Sequence, residues 1–537
     1  MSSSNPFATS YRNAAAMMKL QAKKPIRLAS ISALILVISP ALGFLYGCTD
    51  LTEIPTSSIA PENFYKNEEE IIGGLAAVYA QLRSTTDDYY NVSEVSSDEY
   101  IVPTRGTDWY DNGRWLELDR QLWGPNSPSG LADINGAWNA LFTGVARANV
   151  ALAATDKVTF ADKPVVQAEL RTLRAFYYLL LQDLFGGVPI VNDTEIMPRA
   201  RNTRAEVFAF IEKELKETRE LLPAKWPVDM NGRLTKGAAD AMLASMYLNA
   251  QVYTGTVTTA GLQPGANRWA DAVAACDRIV NSGVYSLASN WRSNFTADNY
   301  QSPEIIMQVM FLNQSGLGLN FLMRALHYTQ FTPSPWNGFA TIAETYNTFD
   351  ADDQRGKQIF LVGPQVNLET NLPVLDRTGN PLVFTPEIKD VTNATEGEGV
   401  RIVKWPRDPN HVNQDNANDF AHFRLAEIYL IKAEALNEQG QTAAAIAVVN
   451  TLRARVFSPP KPLSAGLTQA QARTAIFNER LFELTSEAKR RQDLIRAGQF
   501  TSRAWFDKPA REGFRILMPI PQTQIDTNPL LTQNAGY

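Results

Sequence analysis

Two residue types that staple small exported folds or bind metals are nearly missing. The 537-residue chain has two cysteines and three histidines. The histidines, His327, His411 and His422, have no metal-ligand spacing. Positive charge is not in excess either: the formal net charge of −6 argues against nucleic acid or an anionic lipid surface as the main partner. Only one hydrophobic run approaches membrane-spanning length, and it lies within the first fifty residues. A dinucleotide fingerprint is missing too, since Gly316-Leu317-Gly318 lacks the third glycine and the strand-to-helix setting. These gaps give no reason to expect a metal or a cofactor. What remains, 45% hydrophobic and 20% charged, suits a chain that buries a large core unaided.

Lys19, Lys23, Lys24 and Arg27 form a positive stretch. Ile31 to Tyr46 is then an uncharged, mostly apolar run ending in Leu45-Tyr46-Gly47-Cys48. That order is a secretory signal peptide with a small residue before the cleavage point. A cysteine directly after that point marks a bacterial lipobox, in which the thiol receives a diacylglycerol; Tyr46 is bulkier than usual there. Residues 1–47 are therefore expected to be a signal peptide, with the true start at Met17 or Met18. The mature chain is expected to be a lipoprotein held by acyl chains on Cys48, with residues 48–61 as a tether. An uncleaved anchor competes with this reading, because residues 28–46 come close to the roughly 20 apolar residues that a span needs. Pro40, Gly43 and the Leu-x-Gly-Cys ending weigh against it. Either way, everything after Asp50 is expected outside the cytoplasm. With Cys48 acylated, Cys276 has no intramolecular partner, so no disulfide supports the fold.

The body is expected to be mainly α, with tetratricopeptide-like helical repeats as scaffold. Between Thr235 and Val280, Leu243, Ala244 and Tyr247 fall on one helix, and Trp269, Ala272, Cys276 and Ile279 on the next. Between Leu425 and Arg455, Tyr429, Ala433 and Leu436 precede a turn at Gly440, and Ala445, Val449 and Leu452 follow it. A weaker copy runs from Leu170 to Leu222, pairing Ala175 and Tyr178 with Val207, Ile211 and Leu215. Small residues at fixed offsets from large ones let two antiparallel helices approach while the large ones fill the space beside them. The segment Thr254 to Asn267 reads as an insertion. Phe295 to Asp419, rich in Gly, Pro, Asn and Thr, reads as loops and short strands packed on the helices.

Several blocks resemble the SusD/RagB family of Bacteroidetes surface lipoproteins. They are Cys48-Thr49-Asp50-Leu51-Thr52-Glu53-Ile54-Pro55, then Leu170 to Tyr178 followed by Leu184-Phe185-Gly186-Gly187-Val188-Pro189. Arg233 to Ala239, Arg424 to Leu430, Met518-Pro519-Ile520-Pro521-Gln522, Asn528-Pro529 and Gln533 to Tyr537 complete the set in order. The block from Glu479-Arg480 to Asp493-Leu494 departs from the pattern: Ala488 replaces the usual glycine, and Arg491-Gln492 stands where many members have an aromatic pair. The resemblance divides the body into an N-terminal part, 62–294, and a C-terminal part, 295–537. It implies an outer-membrane location facing the medium and a non-catalytic role: binding an oligosaccharide or similar nutrient and passing it to a SusC-like TonB-dependent transporter.

Glycan recognition calls for aromatic platforms with polar side chains around them. The densest such group runs from Asp98-Glu99 to Trp123 and includes Arg105, Asp108, Trp109, Tyr110, Arg114 and Trp115. These tryptophans have neither helical nor alternating spacing, which suggests a loop that displays them. The resemblance also implies a contribution from the central irregular region, where Trp336 and Asn337 stand out in Pro333-Ser334-Pro335-Trp336-Asn337-Gly338. The expected ligand residues are thus Arg105, Asp108, Trp109, Tyr110, Trp115, Trp336 and Asn337. The competing reading is that the aromatics pack their loops onto the helices. Asp350, Asp352 and Asp353 hint at a calcium loop, but Gln354 and Arg355 break its pattern, and a helix cap or Asx turn fits better. Arg171 and Arg174 with Glu169 have spacings that allow ion pairs along one helix. Carboxylates are plentiful enough to keep an extracytoplasmic glycan hydrolase as the alternative function.

Overall fold

A computed structural model describes residues 65–537; the leader, the acylation site at Cys48 and the tether lie outside the described residues. The helices of eight or more residues are α1 (Glu68–Gln81), α2 (Asp88–Val95), α3 (Asn135–Thr155), α4 (Lys163–Phe185) and α5 (Arg204–Leu221). After them come α6 (Lys236–Leu248), α7 (Trp269–Val280), α8 (Leu425–Glu438), α9 (Thr442–Arg453) and α10 (Gln469–Leu484). From α3 to α9 each helix packs against the next, α1 covers α3, and α10 closes against α8. The three expected helix pairs are present as α4/α5, α6/α7 and α8/α9.

Local chemistry starts these helices where the sequence places them. Asn67 caps α1 by accepting from the Glu70 N–H, and three glutamates occupy the first turn, near the positive end of the helix dipole. Thr203 with Glu206 and Thr468 with Gln471 form capping boxes at α5 and α10. Close packing then follows from small residues. A Cβ on Gly144 of α3 would lie 2.5 Å from the Tyr177 ring of α4, so only glycine lets these two helices meet. Ala433, Leu436, Ala445, Val449 and Ile476 form one buried cluster that joins α8, α9 and α10. Helix α4 is buried on almost its whole circumference from Ala168 to Phe185, as befits an element with neighbours on all sides.

The charged side chains of α4 reach neighbouring elements rather than one another. Arg171 and Arg174 of α4 both bind Glu214 of α5, at 2.7 and 2.6 Å, and Glu169 instead accepts from Arg233. The expectation of pairs within one helix is corrected accordingly: the partners come from α5 and from the loop before α6. A larger ionic network joins the irregular region to α10. Arg424 donates to Glu304 at 2.9 Å, to Glu483 at 2.6 Å and to both oxygens of Glu487. Arg355 reaches Asp353, Glu479 and Glu483. Burial alone would raise the Glu483 carboxyl, but Arg455, Arg424 and Arg355 around it hold it well below its ordinary value.

The irregular stretch is tied down by one short antiparallel pair, β1 (Ile305–Val309) with β2 (Phe420–Arg424). β2 runs directly into α8, which anchors the stretch to the scaffold. Within it, Leu322, Met323, Leu326 and Phe331 form a small core of their own. The insertion after α6 folds as a hairpin, Thr256–Thr258 against Gly261–Gln263. At Asp350 to Asp353, where a helix cap or Asx turn is the better fit, Asp353 accepts from the Arg355 N–H and Asp350 from the Asp352 N–H, a cap and an Asx turn. Ala488 adopts φ 56, the left-handed region that glycine enters without strain. Arg491 is buried and donates to Asp183 of α4 at 2.9 Å and to the Ile516 carbonyl at 2.6 Å, so this departure is built into the scaffold.

Candidate functional site

The chain leaving α2 crosses the irregular region at a single β-bridge, Ile101 with Ala340, whose two hydrogen bonds measure 2.7 and 2.9 Å. This bridge lays residues 101–115 beside residues 333–340, so two segments far apart in sequence share one surface. Trp109 takes a left-handed backbone conformation, φ 62. Its indole N–H donates to the Trp336 carbonyl at 2.5 Å. Its ring stands edge-on to Trp115 and Phe339, with centroids 5.4 and 5.8 Å away.

Three of the expected ligand residues lie beneath this surface. Arg105, 3% exposed, donates to the carbonyls of Asn337, Thr395 and Glu398. Asn337 is fully buried; its side chain donates to the Glu396 carbonyl and accepts from Arg401 at 2.9 Å. Trp115, 3% exposed, donates to Asp111. The structure therefore places Arg105, Trp115 and Asn337 as supports that lock the loops together. A ligand at this surface would not reach them in this conformation. Burial is what Arg105 requires: three carbonyls would lose a partner without its guanidinium.

The other four lie at the surface. Trp109, Trp336 and Asp108 are half-buried, and Tyr110 is 60% exposed. Around them stand residues that sequence reasoning missed. Asp108 accepts from the Tyr328 hydroxyl and from Arg377 at 2.8 Å, and the Arg377 guanidinium sits 3.9 Å from the centre of the Tyr328 ring. Glu396 lies 3.3 Å from Arg377 and 2.8 Å from the buried His327. Tyr328 carried a weak signal, being eight positions from Trp336 in an aromatic stretch; Arg377 and Glu396 carried none.

Hydrogen bonding and burial together set the protonation of this group. The Tyr328 hydroxyl, with Arg377 behind it, holds the Asp108 carboxyl below its ordinary value. Burial, then the bond to Asp108, pushes the Tyr328 phenol up to about 12. Burial lowers His327 despite Glu396 beside it, so at neutral pH its imidazole is neutral. The arrangement offers aromatic faces with a fixed polar rim, suited to holding a polyhydroxylated ligand.

Comparison with known proteins bears on the fold and the family. The profile of the SusD family matches residues 282–537, and a profile described as starch-binding associating with outer membrane matches residues 62–248. The starch-binding protein SusD of Bacteroides thetaiotaomicron is 25% identical over 83% of this chain and 85% of its own length. A laminarin-binding SusD-like protein superposes with a TM-score of 0.70 at 24% identity, covering 88% of this chain and all of that one. Surface glycan-binding protein A from Bacteroides thetaiotaomicron, in complex with laminarihexaose, superposes at 0.66 with 20% identity, over 87% of this chain and 99% of that one. Two profiles that follow one another along the chain, and a shared scaffold of helix pairs carrying an irregular region, lead to one conclusion: this chain belongs to the SusD/RagB family.

Proposed function

We propose that this protein binds a glycan at the bacterial outer membrane without cleaving it and delivers it to a SusC-like TonB-dependent transporter. The observation that carries the reading is the surface shared by Trp109, Tyr110 and Trp336, with Asp108, Tyr328 and Arg377 as its polar rim. Aromatic faces stack on the C–H faces of sugar rings, and the rim bonds their hydroxyls. Relatives that bind starch and laminarin support a glucan as the first ligand to test. The outer-membrane placement rests on the family and the description of its N-terminal profile. The acyl anchor on Cys48 rests on the leader and lipobox.

The state of Asp108 argues against a catalytic acid at this rim. A glycosidase needs a protonated acid and a second carboxylate facing the bond to be cut. Asp108 is held ionised by Tyr328 and Arg377, which suits a hydrogen-bond acceptor and not an acid. The buried pair with raised values, Glu94 and Glu99, is 0% and 1% exposed and is turned to the backbone N–H groups of Ala488 and Ser486.

Native gels cast with starch or laminarin test the reading. The protein should be retarded in at least one of them, Trp336→Ala should weaken retardation, and no reducing ends should appear with time. Release of reducing ends by homogeneous protein would establish the hydrolase instead. Cys48→Ala should release the protein from membranes while leaving retardation intact, and capture of a large β-barrel from detergent-solubilised membranes would support the transporter as partner.

A further inference from the structure

Away from the aromatic loops, a cavity of about 230 Å³ opens where α6, α7, α8, α10 and the short helix Arg490–Arg496 converge. Trp269, the first residue of α7, and Phe477 of α10 line it, both half-buried. Glu434 and Glu438 line it as well, but their charge is already used. Arg496 grips Glu434 through Nε and Nη2, each at 2.7 Å, and Arg473 grips Glu438 in the same two-point manner at 2.7 Å. Two-point pairing occupies both carboxylate oxygens, so these acids offer little to a cation. The remaining acid in the lining, Asp493, is bound by Arg480 at 2.8 Å and Arg496 at 2.9 Å. No guanidinium is left over for an anion either.

Three polar groups in the same walls have no such engagement. The indole N–H of Trp269 and the side-chain amides of Gln251 and Gln499 make no hydrogen bond to protein among the described residues. A purely apolar occupant would strand them, which is unfavourable. Aromatic walls, paired charges and unengaged amide donors and acceptors together select a neutral, polyhydroxylated ring. The volume lies below the roughly 300 Å³ at which pockets begin to take drug-sized ligands, so it fits one ring rather than a chain segment.

We propose that this cavity is a second binding site, taking a single neutral hexose unit against Trp269 and Phe477, with Gln251 and Gln499 bonding its hydroxyls. The class of ligand rests on the glycan reading above, but the site uses none of its residues.

The test labels the tryptophans with 5-fluorotryptophan and assigns Trp269 by the signal missing in Trp269→Phe. The purified protein is titrated with D-glucose, D-galactose, D-mannose and N-acetyl-D-glucosamine. At least one sugar should move the Trp269 signal saturably, and Tyr110→Ala should not alter that shift. Gln251→Ala with Gln499→Ala should raise the midpoint about tenfold or more while the far-UV spectrum stays unchanged. A silent Trp269 with all four sugars, or a midpoint unchanged in the double variant, overturns the proposal. If Trp269 is silent but gel retardation persists, only this second site falls. If Trp269 responds but no polysaccharide retards the protein, the loop site falls and this one stands.

Discussion

The indole N–H of Trp109 donates to the backbone carbonyl of Trp336 across 227 residues of sequence, at 2.5 Å. An indole has one donor and no acceptor, so this bond fixes the plane in which the Trp109 ring presents itself.

Gly338 sets the depth of that contact. A Cβ there would fall 2.3 Å from the Trp109 ring. Gly338→Ala should push the indole outward, break its bond to the Trp336 carbonyl and weaken polysaccharide retardation. Overpacking of this kind costs about 1–3 kcal/mol, readable as a lowered urea midpoint.

Tyr110 and Arg105 should separate contact from support. Tyr110 is 60% exposed, so Tyr110→Ala should weaken ligand retention and leave stability within about 0.5 kcal/mol. Arg105→Ala leaves the buried Asn337 carbonyl without a donor and takes one of two donors from the Thr395 and Glu398 carbonyls, so it should lose both, with stability falling by about 1–3 kcal/mol. Urea melts run beside the native gels compare the two.

Arg424 is fully buried among Glu304, Glu483 and Glu487. Arg424→Met should cost about 3–5 kcal/mol, because it removes from these buried carboxylates a counter-charge that Arg355, Arg455 and Lys404 supply only in part. By contrast Lys216→Ala, which removes an exposed partner of Glu212, should change stability by less than about 1 kcal/mol. Chemical denaturation of both variants decides the matter.

The buried pair Glu94 and Glu99 predicts a pH effect of definite sign. Burial pushes Glu94 up from 4.5 to about 7, and burial with the neighbouring Glu94 pushes Glu99 up as well. A carboxyl whose folded value is raised favours the fold while protonated, and that contribution is lost as pH climbs between the unfolded and folded values. Glu94→Gln should therefore flatten the decline in thermal stability between about pH 4.5 and 7 and stabilise the protein at pH 8. An unchanged or steeper decline in the variant would contradict the assignment.

Ala488 sits at φ 56, in the left-handed region that favours glycine. A left-handed alanine costs roughly 1–2 kcal/mol, partly offset because glycine frees the unfolded chain. Ala488→Gly should raise the urea midpoint by an amount worth up to about 1 kcal/mol, with the slope of the transition unchanged.

Much of the scaffold was legible in the linear pattern. Ala433, Leu436, Ala445 and Val449 were placed on facing helices by spacing alone, and all of them meet in one cluster. Such spacing is legible because each helix pair is a local unit, closed by a short turn such as that at Gly440. The ion pairs of α4 were not legible. Glu169 finds Arg233, and Arg174 finds Glu214, through contacts that sequence separations of three or four residues do not reveal. Arg377 and Glu396 escaped notice for the same reason: each is an ordinary charged residue in a polar stretch until folding sets it beside Asp108 and His327.

The sequence by itself determined the helix pairs and the family, because periodicity and ordered motif blocks are properties of neighbouring residues. Tertiary structure alone decided which side of the aromatic loop faces outward. Arg105, Trp115 and Asn337 are as conspicuous in the sequence as Trp109, Tyr110 and Trp336. Their burial follows from a bridge between Ile101 and Ala340 that joins two distant segments. Exposure is a property of what lies on the other side of a residue, and a linear sequence does not say what that is.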